Sequence, residues 1–529
     1  MNKLKRMSFL ILGVCLIFSC QNQPENTDQS SEDEVSAQPD RNMFGMHIPR
    51  GLTITSDRLT DGYVMFCAPN SPLIYLINRK GEVVHQWKAN YGAFNPYLQD
   101  DGSIVLGAAD QDYPVFDNTG PYGRIEKVTW DGKTKWDFEY ATEEYILHHD
   151  IAVLPSGNIL AIAYEVKPFK EAIARGGKPE MIAKDGSWLE KIIEIEPQDK
   201  RHGKIVWEWH LWDHLIQDYD ETKSNYGDPG DHPELLDFNT ARPLPPYISE
   251  DSLEILLAKG MVHRNTTIGN RGAGLFHFNA INYNEALDQI VFSSPPLSEI
   301  FIIDHSTTTE EAAGHSGGRY GKGGDFLYRW GNPQNYQRGD STNQQLFGQH
   351  DIRWVEAGKP GAGNLTLFNN DVPMGPDSLD YSAIFEFVPP ITDSGNYILE
   401  DDKSFGPEGL VWIYTAQDTL SFYSSFISSA HRMENGNTFI NEGAKGRFFE
   451  VTPEGETVWE YLNQYRGEIR KPNGDPIPMI PFAYVEFRST FIPADHPSLA
   501  GKELKPLDPQ PEVFKIPPPP LPGNENETD

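Results

Sequence analysis

Residues 424–461 read SSFISSAHRMENGNTFINEGAKGRFFEVTPEGETVWEY. Short runs of β-branched and aromatic residues alternate here with Gly, Asn and Pro, which is a strand-and-turn pattern. A polar start ends on His431. The turn Glu434-Asn435-Gly436-Asn437 leads to a strand over Thr438–Asn441, and a second strand follows over Arg447–Thr452. The turn Pro453-Glu454-Gly455-Glu456 leads to a last strand closing on Trp459 and Tyr461. The stretch is therefore a meander of about four strands.

Two of its markers recur along the chain. One is a Gly- or Asp-containing turn entering an apolar strand, as at Asp61-Gly62, Asp101-Gly102, Ser156-Gly157, Asp288-Gln289, Gly363-Asn364 and Gly436-Asn437. The other is a strand closing on tryptophan: Trp87, Trp136, Trp207, Trp330, Trp412 and Trp459. Each turn marker is followed by one tryptophan, which gives six units. Six meanders predict an all-β, six-bladed β-propeller, since radial repetition leaves few open sheet edges. Successive tryptophans lie 49, 71, 123, 82 and 47 residues apart, so the surplus sits in loops. The long connections 210–275 and 305–325 are read as ordered caps over one mouth. A short helix is expected at 253–259, and the Gly-rich stretch 314–324 reads as a flexible loop.

Composition narrows the function. The formal net charge of −33 repels nucleic acid and anionic lipid, so no nucleic-acid partner is expected. Lys3, Lys5 and Arg6 precede an apolar run, Phe9–Phe18, that is too short to span a bilayer. The run ends Ile17-Phe18-Ser19-Cys20 and resembles a bacterial lipobox. Residues 1–19 are read as a lipoprotein signal peptide with lipidation at Cys20, and 20–44 as a disordered acidic tether. The propeller is placed at 45–500 and a Pro-rich, extended or disordered tail at 501–529. Membrane attachment is expected through the lipid alone, in the periplasm or at the cell surface, with the outer membrane favoured. Cys15 leaves with the signal, so Cys67 is the one remaining thiol, and neither a disulfide within the chain nor a cysteine metal site is expected.

Aligned on the markers, His149, His277, His350 and His431 open the first strands of units three to six, and Asn95 occupies that place in unit two. First strands line a propeller's channel, so the four imidazoles are expected to converge. Such a ring can bind a metal or ligand without turnover. It can also carry nucleophilic and acid–base chemistry, one imidazole attacking an electrophile while others handle oxyanions and protons. Asp150 and Asp351 alternate to the opposite face, where they are expected to orient the blades or bind backbone N–H groups. His85, His202, His305 and His315 read as solvated; His210 and His214 could line a cap.

The motifs HHDIAVLPSGNIL, HFNAINYN, GQHDIRW and HRMENGNTF open four successive units. In this order the chain, over roughly 45–500, resembles the bacterial arylsulfotransferase family. The resemblance implies a six-bladed propeller and transfer of a sulfuryl group from a phenolic sulfate ester to a phenolic acceptor. The donor is not a nucleotide, no cofactor or metal is needed, and the reaction is ping-pong through a sulfohistidine. By position His431 matches the nucleophile. His277 and His350 match the residues that bind the sulfuryl group and handle the phenol proton. His149 and Asn95 are taken as substrate-binding neighbours. The family's arginine after the His350 motif falls at Leu365–Asn370, where this chain has none. Arg353, Arg432, Lys445 and Arg447 are the substitutes considered, with Arg447 favoured and Arg432 retained beside it. A quinone-dependent propeller dehydrogenase lacks the vicinal cysteine pair it would need.

Overall fold

The computed structural model describes residues 42–515, apart from 43, 70, 110–112, 114, 117–119, 241–243, 259–261, 264, 376–377, 467–468, 471–475 and 478–482. The signal segment and Cys20 lie outside the described residues.

Among the described residues, six antiparallel sheets form the blades. Blade two runs Gly92–Leu98, Ile104–Ala109, Gly123–Val128, Thr134–Glu139. Blade three runs Tyr145–Val153, Ile159–Lys167, Ser187–Pro197, Gly203–His210. Blade four runs Ala280–Asn284, Gln289–Ser294, Glu299–Asp304, Tyr328–Trp330. Blade five runs His350–Trp354, Leu365–Pro373, Asp380–Phe387, Trp412–Tyr414. Blade six runs Ser429–Arg432, Thr438–Glu442, Arg447–Val451, Thr457–Leu462. In each, sequence order is sheet order from the axis outward. The first strands of successive blades pack beside one another.

Both ends of the chain close the ring. Blade one has three local strands, Gly62–Phe66, Leu73–Asn78 and Val83–Lys88, and takes its innermost strand from Ser489–Pro493. Gly51–Thr55 adds a fifth, outer strand to blade six. The tail read as extended or disordered packs on the ring as far as 515: Leu507 N–H donates to Val83 O and Phe514 N–H to Gln464 O.

There is no single central core. Six apolar clusters lie between neighbouring blades, and each contains a marker tryptophan or packs against one. In five of the six tryptophans the indole N–H reaches across to the next blade, Trp87 being the exception. Trp136 donates to His202 O at 2.9 Å and Trp207 to Thr307 Oγ1 at 3.1 Å. Trp330 donates to Pro407 O at 3.1 Å, Trp412 to Pro453 O at 2.9 Å and Trp459 to Arg79 O at 2.8 Å. The turn marker also bonds within its blade. Asn158, Asn364 and Asn437 each donate to a glutamate of the third strand, Glu194, Glu386 and Glu450, at 2.6 Å.

The connections differ from expectation in two places. The helix covers Glu250–Ala258, starting earlier than 253 because Glu250 and Asp251 suit its first turn. The Gly-rich loop is pinned rather than flexible: Tyr320 N–H donates to Asp304 and Tyr320 Oη to Leu287 O.

Trp459→Phe keeps the buried ring but leaves the Arg79 carbonyl without its donor. It is expected to cost about 1–2 kcal/mol in denaturant unfolding. Trp87→Phe should cost clearly less, because the Trp87 indole N–H makes no hydrogen bond. Equal losses for the two variants would contradict the inter-blade staple.

Candidate active site

The inner strands of blades two, three and five are bulged near the axis. Opposite the second strand, pairing slips between Phe94 and Tyr97, between Leu147 and Ile151, and between His350 and Arg353. Asn95, His149 and Asp351 hold left-handed backbone there, with φ of 43°, 56° and 57°, and His277 before blade four's first strand has φ 50°. Such conformations cost roughly 1–3 kcal/mol each and persist where surrounding contacts enforce them. The bulges break the strict alternation of a strand.

Two of the four expected histidines, His149 and His277, are in contact, and His350 is close enough to act on His149. The rings of His149 and His277 lie 4.3 Å apart, nearly perpendicular. Burial, with His277, His148 and His350 close by, holds His149 well below the usual imidazole range. His149 Nδ1 is 2.8 Å from His148 Nδ1, and His148 Nε2 is 2.8 Å from Glu190 Oε2. Burial raises the Glu190 carboxyl well above its usual range. Tyr164 Oη lies 3.2 Å from His277 Nδ1.

His350 is fixed at both nitrogens. Nδ1 donates toward Asn370 Oδ1 at 2.9 Å and Gly348 O at 3.0 Å, while Nε2 accepts from Ile427 N–H at 3.0 Å. Burial pushes its pKa down to about 4, although Asn370 and Gly348 oppose the shift. Asn370 thus occupies the strand where an arginine was sought and orients an imidazole instead.

His431 stands at another level. It pairs with Phe439, the second residue of its neighbouring strand, whereas His350 pairs with Phe368, the fourth of its own. The difference of two residues is roughly 7 Å along a strand. His431 therefore shares its register with Arg353, which pairs with Thr366. Its Nε2 accepts from Phe491 N–H at 3.2 Å, on the strand that closes blade one. Burial, and then the cations Arg353, Lys359 and Arg488, keep it neutral.

The substitute cations fall elsewhere. Arg447 stands on the third strand of blade six, with Nε 2.6 Å from Glu460 and Nη1 3.0 Å from Glu442. Arg432 turns outward to Glu386 and over the Trp412 ring of blade five. Lys445 is held by Glu442 and Ser421 O. Asn95 donates to His149 O at 3.0 Å and Asp150 Oδ1 at 3.1 Å, joining blades two and three. These residues opened or flanked suitable strands in sequence, but opposite charges fix the three cations away from the axis.

The axial cation is Arg488, just before the closing strand, and sequence reasoning missed it. Its Nη1 lies 2.9 Å from both carboxylate oxygens of Asp150 and also bonds Tyr97 Oη. Its Nε lies 2.9 Å from Asp351 Oδ1. Nη2 has no acceptor among the described residues. Burial opposes the charge, yet Asp150, Tyr97 and Asp351 raise the guanidinium above its ordinary range. Its charge lowers both His350 and His431. The missed signal was topological. Unit one lacks a first strand, so a segment after Tyr461 had to supply it. The two aspartates do bind backbone N–H as expected, Asp150 from Ile151 and Ile281, and Asp351 from Ala430.

Of the other histidines, His305 and His85 depart from expectation. His305, expected in solvent, is clamped by Asp288 at 2.7 Å and Glu194 at 3.0 Å. His85 stacks on Trp130 at 3.9 Å. His214 is fully buried beneath the cap, and His202 and His315 are exposed but bonded to Asp199 and Asp325.

Fold and site define a β-propeller whose axial region brings neutral imidazoles together with the buried guanidinium of Arg488, beside which Arg353 shares Asp351. The chain belongs to the arylsulfotransferase family, whose profile matches residues 54–473. Membership supports aryl sulfotransferase activity and phenolic substrates in general. No match is found among curated proteins. Solved structures with a similar chain course are distant. A Bacteroides caccae protein of unknown function is 12% identical, covering 76% of this chain and 94% of its own, with TM-score 0.39. A streptogramin B lyase is 11% identical, covering 85% and 96%, with TM-score 0.36. A Staphylococcus aureus virginiamycin B lyase is 12% identical, covering 81% and 89%, with TM-score 0.34.

The histidines predict a stability maximum. Burial lowers His350 and His85 to about 4. Burial alone would lower His210 and His305 too, but Glu165 with Glu208, and Asp288 with Glu194, raise each to about 9. In the unfolded chain all four titrate near 6.5. Between about 4 and 6.5 the unfolded state holds more of these protons, so stability rises with pH. Between about 6.5 and 9 the folded state holds more, so stability falls. Melting temperature at constant ionic strength should peak near pH 6.5; a steady rise from 4 to 9 would contradict the assignment.

Proposed function

We propose that this protein transfers a sulfuryl group from a phenolic sulfate ester to a phenolic acceptor without a nucleotide donor, by ping-pong through a sulfohistidine. The observation that carries the proposal is the juxtaposition of neutral imidazoles with the fixed guanidinium of Arg488. Neutral imidazole is the nucleophilic form.

In this reading His431 attacks. The proton lies on Nδ1, because Nε2 accepts from Phe491 N–H. Nε2 forms the bond to sulfur, the sulfur–phenolic oxygen bond breaks, and the phenolate leaves. Phe491 N–H, released by the imidazole, can then donate to a sulfuryl oxygen. Arg488 Nη2 meets the charge on the other oxygens. In the second half the acceptor phenol gives up its proton, its oxygen attacks sulfur, and the bond from sulfur to Nε2 breaks. His277 and His350 are the proton carriers, and His350 can take a proton on Nε2 only by releasing Ile427 N–H. Lipidation at Cys20 would hold the enzyme at a periplasmic or surface membrane face.

A second reading places the nucleophile in the His149–His277 pair. Two observations favour it. His431 sits at a different register from His350, and His277 is the least buried of the four.

The test is sulfuryl transfer from p-nitrophenyl sulfate to phenol, with the acid-labile intermediate mapped by peptide mass spectrometry. The mark is expected on His431, and His431→Asn should lower turnover by at least about 10³-fold. A mark on the His277 peptide, persisting in His431→Asn, would establish the second reading. Absence of any nitrophenol release would leave a propeller that only binds its ligand.

A further inference from the structure

The loop 305–327 folds back over the segment Leu211–Ile216, at the cap of blades three and four. Three donor atoms meet there: one ring nitrogen each from His214 and His315, and an oxygen of Asp325, all within 4.8 Å of one another. Both Nδ1 atoms lie 2.8 Å from the same Asp325 Oδ1.

Proton accounting makes this contact unusual. His214 is fully buried, and its Nε2 lies 2.8 Å from the carbonyl of Ala312. A carbonyl only accepts, so the ring proton belongs on Nε2 and neutral Nδ1 is a bare lone pair. That lone pair faces a carboxylate oxygen, acceptor against acceptor. Only a proton or a metal cation can lie between them. An imidazole whose far N–H is fixed by a backbone carbonyl is the form in which histidine commonly ligates metals.

The surroundings hold the ring in place. The Trp209 ring lies parallel to it, within 2°, at 5.4 Å, and Trp209 Nε1 donates to Gly324 O at 2.7 Å. A Cβ at Gly324 would lie 2.0 Å from Ala312 O and 2.6 Å from His214 Nε2, so the chain can pass there only as glycine. Asp325 is buried, while the His315 side chain is 61% exposed and gives a path to solvent.

We propose that His214, His315 and Asp325 form a divalent transition-metal site, with zinc the metal that suits two imidazoles, one carboxylate and a fourth position for water. It lies in the cap, apart from the axial imidazoles, and ties the 305–327 loop to the segment after blade three. No step of sulfuryl transfer passes through it.

The experiment is metal analysis by mass spectrometry after incubation with zinc and gel filtration. The proteins compared are the wild type, His315→Ala, Asp325→Asn and, as a control at the axis, His277→Asn. Wild type and His277→Asn are expected to hold about one zinc per chain, and the two site variants less than about a tenth of that. His315 is exposed, so its variant should keep the far-ultraviolet circular dichroism of the wild type. Cobalt in place of zinc should give the visible absorption of a four-coordinate ion in the wild type and lose it in His315→Ala. Two results would overturn the proposal. One is zinc-free wild type under these conditions, which would mean a proton closes the His214–Asp325 pair. The other is zinc that persists in both site variants and is lost from His277→Asn.

Discussion

The ring depends on one buried ionic contact, Arg488 between Asp150 and Asp351. Arg488 stands beside the closing strand of blade one; its carboxylates come from blades three and five. Asp150 also takes Tyr97 and Asn95 of blade two and Ile281 N–H of blade four, and Asp351 takes Ala430 N–H of blade six. Arg488 and its two aspartates thereby reach all six blades, and Arg353 joins them at Asp351 Oδ1. Burying such a group is a poor source of net stability, but removing one member strands the others, at a cost of roughly 3–5 kcal/mol. Its value is geometric: it fixes where the inner strands stand, and with them the imidazoles.

The outer rim follows a different logic. There the marker tryptophans bury their rings between blades, and all but Trp87 pass an N–H to the next one. Apolar burial supplies most of the stability, while the indole bond sets how far one blade turns against its neighbour. Axis and rim divide the work: polar contacts specify the centre and apolar ones hold the wall.

Much of this could be read in the sequence because the propeller repeats. Trp87 to Trp459 and the Gly-Asn turns recur, and each has a reason in the repeat, a ring buried between blades or a bond to a third-strand glutamate. The convergence of His149 and His277 followed from the same alignment. What escaped it was non-local. Arg488 lies far from any marker and reaches the axis only because the ring must close on itself. His431 and His350 both open their units, but His350 lies farther from its Gly-Asn turn, with a bulge at Asp351 and Ile352 between them, and blade six has no such bulge. Arg447 opened a strand in the right blade, yet that strand is the third from the axis. His305 and His85 looked exposed because Glu194 and Trp130 are distant in sequence.

The arginine missing from the Leu365–Asn370 strand is thus answered from another blade. Asn370 orients His350, and in the proposed reaction Arg488 would supply the charge. This account is tested most directly by a crystal structure with a non-transferable aryl sulfonate. It predicts the sulfonate oxygens within about 3 Å of Arg488, with the sulfur facing an axial imidazole. A sulfonate bound to Arg447 or Arg432, or anywhere away from the axis, would contradict it.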